Sequence, residues 1–181
     1  MVIFLVKMKN KMQLYSYIGS QEIFDALDFN FKSYKISNSD DVFFWIKSTS
    51  QEIINNSVIA TFIIDENHNL FINDRHSEHV LCAGGRKVLS AGEILFLIDG
   101  KDISINEISN QSTGYCPKPE SWKEVEYALK NIEITHPNYF TTAFDFRYCQ
   151  KCKSINLIKE DFFLCQICGT DLEKEWNFDK E

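Results

Sequence analysis

Two Cys-x-x-Cys pairs near the C-terminus constrain this chain more than any other feature. They are Cys149-Gln150-Lys151-Cys152 and Cys165-Gln166-Ile167-Cys168, with twelve residues between them. A Cys-x-x-Cys turn presents two thiolates on one side of a tight loop. That is the spacing needed to fill two corners of a tetrahedron around Zn²⁺, and the second pair fills the other two. Gly169 follows the second pair and suits the positive φ that such a turn often requires. Four thiolates close the coordination shell, so the expected zinc is structural and leaves no open position for catalysis. Tetrahedral sulfur also holds iron, which stays open as the alternative metal. Composition offers little for two disulfides or four free buried thiols, and a thioredoxin-type redox pair fits less well because both pairs fall outside any βαβ pattern.

The segment Phe146–Leu172 resembles a zinc ribbon, a small module found on enzymes, transcription factors and adaptor proteins. The resemblance implies a metal and says little about activity. Within it, Ser154–Ile158 and Phe162–Cys165 are short apolar stretches able to pair as a hairpin. Arg147, Lys151, Lys153 and Lys159 form a local basic cluster, and Tyr148, Phe162 and Phe163 offer stacking faces for bases. Glu160, Asp161 and Asp171 dilute that charge. The chain as a whole carries a net charge of −7, whereas nucleic-acid binding calls for a basic surface. Nucleic acid is therefore the disfavoured partner.

At 181 residues the chain holds one full-sized core and a small appendage. We read 1–145 as a main α+β domain, 146–172 as the ribbon, and 173–181 as a charged tail with Trp176 and Phe178 as its large apolar anchors. The apolar runs Val58–Ile64 and Ile94–Ile98 reach strand length only, short of the ~20 residues a membrane helix needs. Met1–Val6 is apolar, but Lys7, Lys9 and Lys11 follow it, the reverse of a secretory signal. A cytoplasmic location, where thiols stay reduced, is expected.

Aromatic and β-branched residues favour strands. Val2–Val6 and Met12–Ile18 read as strands, Ser20–Phe29 as a helix with Ser20 at its N-cap, and Ser48–Asn55 as a short helix. The run through Asp40–Lys47 fits a strand or a helix. Ser57–Ile64 and Leu70–Asn73 form one hairpin around Asp65–Asn69; Glu93–Asp99 and Asp102–Ser109 form another around Gly100-Lys101. Pro119–Ile132 is helical, with Trp122, Val125, Ala128, Leu129 and Ile132 on one stripe. Phe144, Phe146 and Tyr148 alternate as a strand leading to the cysteines, and no internal repeat stands out. The expected architecture is a twisted antiparallel sheet with two or three helices plus the ribbon.

The central segment gathers polar groups. Asp74-Arg75-His76-Ser77-Glu78-His79 is followed by Gly84-Gly85, Ala91-Gly92-Glu93 and Ser112-Thr113-Gly114-Tyr115-Cys116-Pro117. In that order, over His76–Ile134, they resemble the Gly-Gly/Ser-Gly-His-Tyr-x-Pro domain of plant IQ-motif calmodulin-binding proteins and some bacterial toxin-related domains. Where that pattern has a histidine before the tyrosine, this chain has Gly114. The resemblance thus implies a shared fold more than a shared activity. Three readings remain open. Cys116 could be a nucleophile with His76 or His79 as base. His76, Glu78 and His79 could ligate a second metal. A polar loop could cross the sheet end, with the glycine steps serving tight turns. Cys82 reads as a small buried residue, and His68 and His136 as solvent-facing.

The functional expectation is a zinc-ribbon protein that acts by binding another protein, an immunity or antitoxin-like inhibitor of a basic partner. The alternative is an enzyme whose polar site joins Arg75–His79 to Gly114–Glu120.

Overall fold

A computed structural model describes residues 12–28, 30 and 32–179. The strand expected at Val2–Val6 lies outside the described residues. Among the described residues there are four α-helices and two antiparallel sheets: α1 (Gln21–Ala26), β1 (Tyr34–Ile36), α2 (Ser39–Ser48), β2 (Ser57–Ile64), β3 (Leu70–Asp74), α3 (His79–Cys82), β4 (Ser90–Asp99), β5 (Asp102–Ile108), α4 (Trp122–Leu129), β6 (Asp145–Tyr148) and β7 (Ile155–Ile158). The large sheet runs β1-β3-β2-β4-β5, and β6-β7 stand apart as a second sheet. This is the α+β architecture read from the sequence.

Alternation sets the two faces of the large sheet. Val58, Ala60, Phe62 and Ile64 of β2 point to one side with Ile94 and Phe96 of β4 and Ile103, Ile105 and Ile108 of β5. Helix α2 closes over them with Val42 and Trp45, and α4 with Val125, Ala128 and Leu129. In β5 the alternation survives a register shift opposite Leu95/Phe96, which leaves Asn106 as an extra residue between Ile105 and Glu107. Among the described residues, the second face carries a buried cluster at one end. There Ile63 and Ala91 pack with Val80, Cys82 and Ala83 of the α3 region, with Tyr115, and with Tyr15 and Val88.

Several local readings change. Asp40–Lys47 resolves as the middle of α2, because Asn38 and Asp41 form a reciprocal capping box that commits the run to a helix. Ser48–Asn55 is not a helix: α2 ends at Ser48, and Gln51 instead donates from Nε2 to the Ile59 carbonyl at 2.7 Å. Met12–Ile18 is not a regular strand; Tyr15 alone bridges to Val88, exchanging both backbone hydrogen bonds at 2.8 and 3.0 Å. The helix after Ser20 is six residues long, and the Ser20 side chain makes no cap bond. Gly84 and Gly85 serve a turn with φ of +60° and +75°, as expected. Gly92 does not. It sits inside β4, where a Cβ would come within 1.8 Å of the Ser109 carbonyl oxygen, so close backbone approach is what demands glycine there.

Candidate metal centre

The two cysteine turns are built alike. In the first, the Lys153 N–H donates to the Cys149 carbonyl and the Cys149 N–H to the Ser154 carbonyl. In the second, Gly169 donates to Cys165, and Cys165 to Thr170, at the same offsets. Lys153 and Gly169 both take positive φ, +64° and +68°. The matching sequence signal is a repeat, Cys-Gln-Lys-Cys-Lys-Ser at 149–154 against Cys-Gln-Ile-Cys-Gly-Thr at 165–170. The chain therefore does contain a short internal repeat, too brief for composition to reveal.

The four Sγ atoms of Cys149, Cys152, Cys165 and Cys168 lie within 4.8 Å of one another. Cys149 and Cys168 are 3.6 Å apart, and Cys152 and Cys165 3.5 Å. A zinc–sulfur bond of about 2.3 Å implies a tetrahedron edge of about 3.8 Å, close to both values. A disulfide needs about 2.05 Å, and all six cysteines are free thiols. Donor set and spacing fit a closed four-thiolate site.

Hydroxyl and amide donors around the sulfurs favour thiolates. Ser154 Oγ lies 3.3 Å from Cys165 Sγ and 3.1 Å from Cys152 Sγ. The Ser154 hydroxyl, assisted by the backbone N–H groups of Cys168 and Ile167, pulls the Cys165 thiol down to about 5. The Thr170 hydroxyl, 3.3 Å from Cys168 Sγ, and the Thr170 backbone N–H lower that thiol. At Cys149 the Cys152 N–H also favours the thiolate, but burial and the neighbouring sulfurs prevail and raise it to about 11. A cation at the centre of the cluster would favour the thiolate form of its ligands.

Strand pairing within the module differs from the sequence reading. β7 pairs with β6, Tyr148 opposite Ile155 and Asp145 opposite Ile158, rather than with Phe162–Cys165. Beyond the knuckles, Leu164 bridges to Asp171. Asn156 is buried and orients the second turn, its Oδ1 accepting the Gln166 N–H at 2.9 Å. The segment after Leu172 straps the module to the large sheet. Asn177 takes both backbone groups of Tyr148, its Oδ1 accepting from N–H and its Nδ2 donating to the carbonyl, each at 2.8 Å. The Arg147 guanidinium donates to the carbonyls of Glu173 and Lys174. Arg147 is thus buried and committed to this strap rather than displayed in a basic patch.

The polar residues of the central segment are dispersed. His79 opens α3, and its Nε2 lies 2.9 Å from the Gly92 carbonyl. Burial drives its pKa down to about 4 against the opposing effect of that carbonyl, so the ring is neutral and Nε2 is the donor. His76 is exposed, and the Arg75 guanidinium lies 3.9 Å from Glu93. Cys116 is fully buried at φ +44°; its thiol faces the Thr113 carbonyl at 3.5 Å, and burial pushes its pKa up. Cys82 is buried as expected, its thiol raised to about 12. Arg75 and His76 line a cavity of about 570 Å³ with Gln51 and Asp74. Tyr115 lines a different one with Tyr15 and Trp176, and Glu120 a third with Gln13 and Leu89. His68 is not solvent-facing. Its ring lies 4.4 Å from that of Tyr127 and its Nε2 2.6 Å from the buried Glu124 carboxylate, clasping the β2–β3 turn to α4. His136 turns back on the Pro137 carbonyl at 2.7 Å.

Compared with protein-family models, with curated proteins and with solved structures, the chain gives no match. The resemblance of His76–Ile134 to the IQ-motif and toxin-related domains finds no support there. Among the described residues, no helix is long and apolar enough to cross a membrane.

Proposed function

We propose that the protein is a cytoplasmic, zinc-stabilised binding protein that acts on a basic protein partner in the manner of an immunity protein or antitoxin. The observation that carries this reading is the closed four-thiolate cluster beside an acidic main domain. A metal held by four cysteines has a structural role, which leaves recognition to the rest of the surface. The net charge of −7 would steer association with a positively charged partner. The dispersal of Arg75, His76, His79 and Cys116 supports binding over catalysis, because a Cys–His pair works only when the two groups meet.

Affinity purification of the tagged, zinc-loaded chain from its native cells tests the reading. We expect one stoichiometric protein with a pI above about 9, released as salt is raised. Recovery of no stoichiometric partner, or of an acidic one, would overturn it.

A further inference from the structure

Among the described residues, no helix packs over the second face of the large sheet beyond the Tyr15–Tyr115 cluster. Past Ile63 and Ala91, where the Tyr15–Tyr115 cluster ends, Thr61 is buried with its hydroxyl on the Arg75 and Ser77 carbonyls, and the next outward residues are the half-buried Ile59 on β2 and Leu95 on β4, and then Leu97. Leu97 is 37% exposed, and Ile54, which precedes β2 and lines a hollow with Ile59 and Leu95, is 60% exposed. Ile59 and Leu95 are shared by two adjoining hollows. One is the 570 Å³ cavity that reaches Gln51 and His76, and the other reaches Thr141, Thr142 and Phe144. Together they form one groove across β2, β4 and β5.

The rim of this groove is acidic. Glu93 lies opposite Thr61, and Glu107 opposite Leu95, both on the uncovered side. Asp99 continues the Glu93-Leu95-Leu97 parity, and Asp102 pairs with it. Glu52 lines the far end. Opposing them is Arg75, 3.9 Å from Glu93. An apolar floor with a carboxylate rim suits a segment that alternates apolar and cationic side chains. Strand addition at the β5 edge is obstructed, since the Thr135 carbonyl accepts the Ile105 N–H and the Thr142 N–H donates to the Ile108 carbonyl. Contact must therefore come through side chains across the face rather than through backbone pairing.

We infer that this groove is the docking site for an extended, lysine- or arginine-bearing apolar segment of a protein partner, an inference that rests on the binding reading above. Ile59 and Leu95 seat its apolar side chains, and Glu93 and Glu107 receive its cations.

NMR titration of the zinc-loaded full chain with a blocked peptide of alternating lysine and valine tests this. We expect amide shifts centred on residues 57–61, 93–97 and 104–108, falling off through the groove ends at 51–54, 74–76 and 141–144. The double variant Glu93→Gln/Glu107→Gln should weaken binding about tenfold at low salt. The same amides responding equally to a glutamate–valine peptide would overturn the proposal. So would shifts confined to the ribbon, or no binding at about 1 mM peptide. A native complex unaffected by the double variant combined with Leu95→Lys would remove the groove and leave the partner reading intact. Failure of the partner reading shows separately, as the absence of any stoichiometric native partner.

Discussion

Trp176 Nε1 donates to the carbonyl of Cys116 at 2.8 Å, across 60 residues of sequence. The indole also meets Tyr15 edge-on, with ring centroids 5.6 Å apart, and Lys118 Nζ sits 4.9 Å from its centroid. One side chain from the C-terminal strap thus fixes the Ser112–Lys118 turn and the N-terminal segment together. We expect Trp176→Phe to cost about 1 kcal/mol, the loss of the hydrogen bond with packing largely kept, and Trp176→Ala about 3 kcal/mol. Urea unfolding of the zinc-loaded chain measures both. Equal losses for the two variants would show that the N–H contributes nothing.

Asn177 acts as a surrogate strand partner for Tyr148. It is 1% exposed and satisfies both backbone groups. Asn177→Ala should cost about 2–3 kcal/mol, because it leaves a buried donor and acceptor without partners. Hydrogen exchange at the Tyr148 amide is the direct check: it should accelerate more than exchange in β2 or β4. Unchanged protection would place the restraint elsewhere.

A metal held by the four cysteines would account for the stability of the module. Its buried apolar cluster is small, Leu172 beside the sulfurs with Ile158 and Phe163 packed against them. Structural zinc contributes on the order of 10 kcal/mol to folding of such a unit. Freshly purified protein should hold one zinc per chain by elemental analysis; less than about half an equivalent of zinc or iron would refute the site. Cys152→Ser, or a chelator, should collapse the NMR signals of residues 145–172 and loosen the strap. The β2–β3 and β4–β5 hairpins, whose core lies under α2 and α4, should persist.

What the sequence discloses here follows the range of the interactions involved. The cysteine spacing is local, so the four-thiol cluster is legible residue by residue, and both central hairpins follow from alternation and their turns. Long-range partners are what escape. Met12–Ile18 has strand composition, yet Tyr15 alone finds a bridge partner, Val88. Ser154–Ile158 has strand composition too, but its choice of β6 over Phe162–Cys165 depends on Asn156 and the strap. Gly92 reads as a turn residue until Ser109 is seen to approach it. His68 reads as a turn histidine until Glu124 and Tyr127 arrive from α4.

Ser154 is expected to tune a metal held by the four cysteines without ligating it. Its hydroxyl is the leading cause of the depressed Cys165 thiol. Ser154→Ala should raise that thiol, so protons compete with zinc at higher pH. Zinc affinity at neutral pH should fall about tenfold, and the pH of half-release should move upward. A competition titration with a chromophoric chelator over a pH series reads both quantities. Unchanged affinity across the series would mean that the hydroxyl is only a neighbour.

His79 should make the main domain acid-sensitive in a defined window. Its part-buried ring donates to the Gly92 carbonyl, and burial holds the folded-state pKa near 4 against an unfolded value of about 6.5. Between those limits the unfolded chain binds more protons than the folded one, so stability rises with pH. The contribution is complete above about 6.5 and is lost as pH falls toward 4, by up to about 3 kcal/mol. His79→Gln keeps a donor for Gly92 and removes the titration, so wild type and variant should diverge in stability only across that window. Direct observation of the ring protons by NMR should find a midpoint near 4; a midpoint near 6.5 would show that the ring is solvated and would dissolve the predicted acid sensitivity.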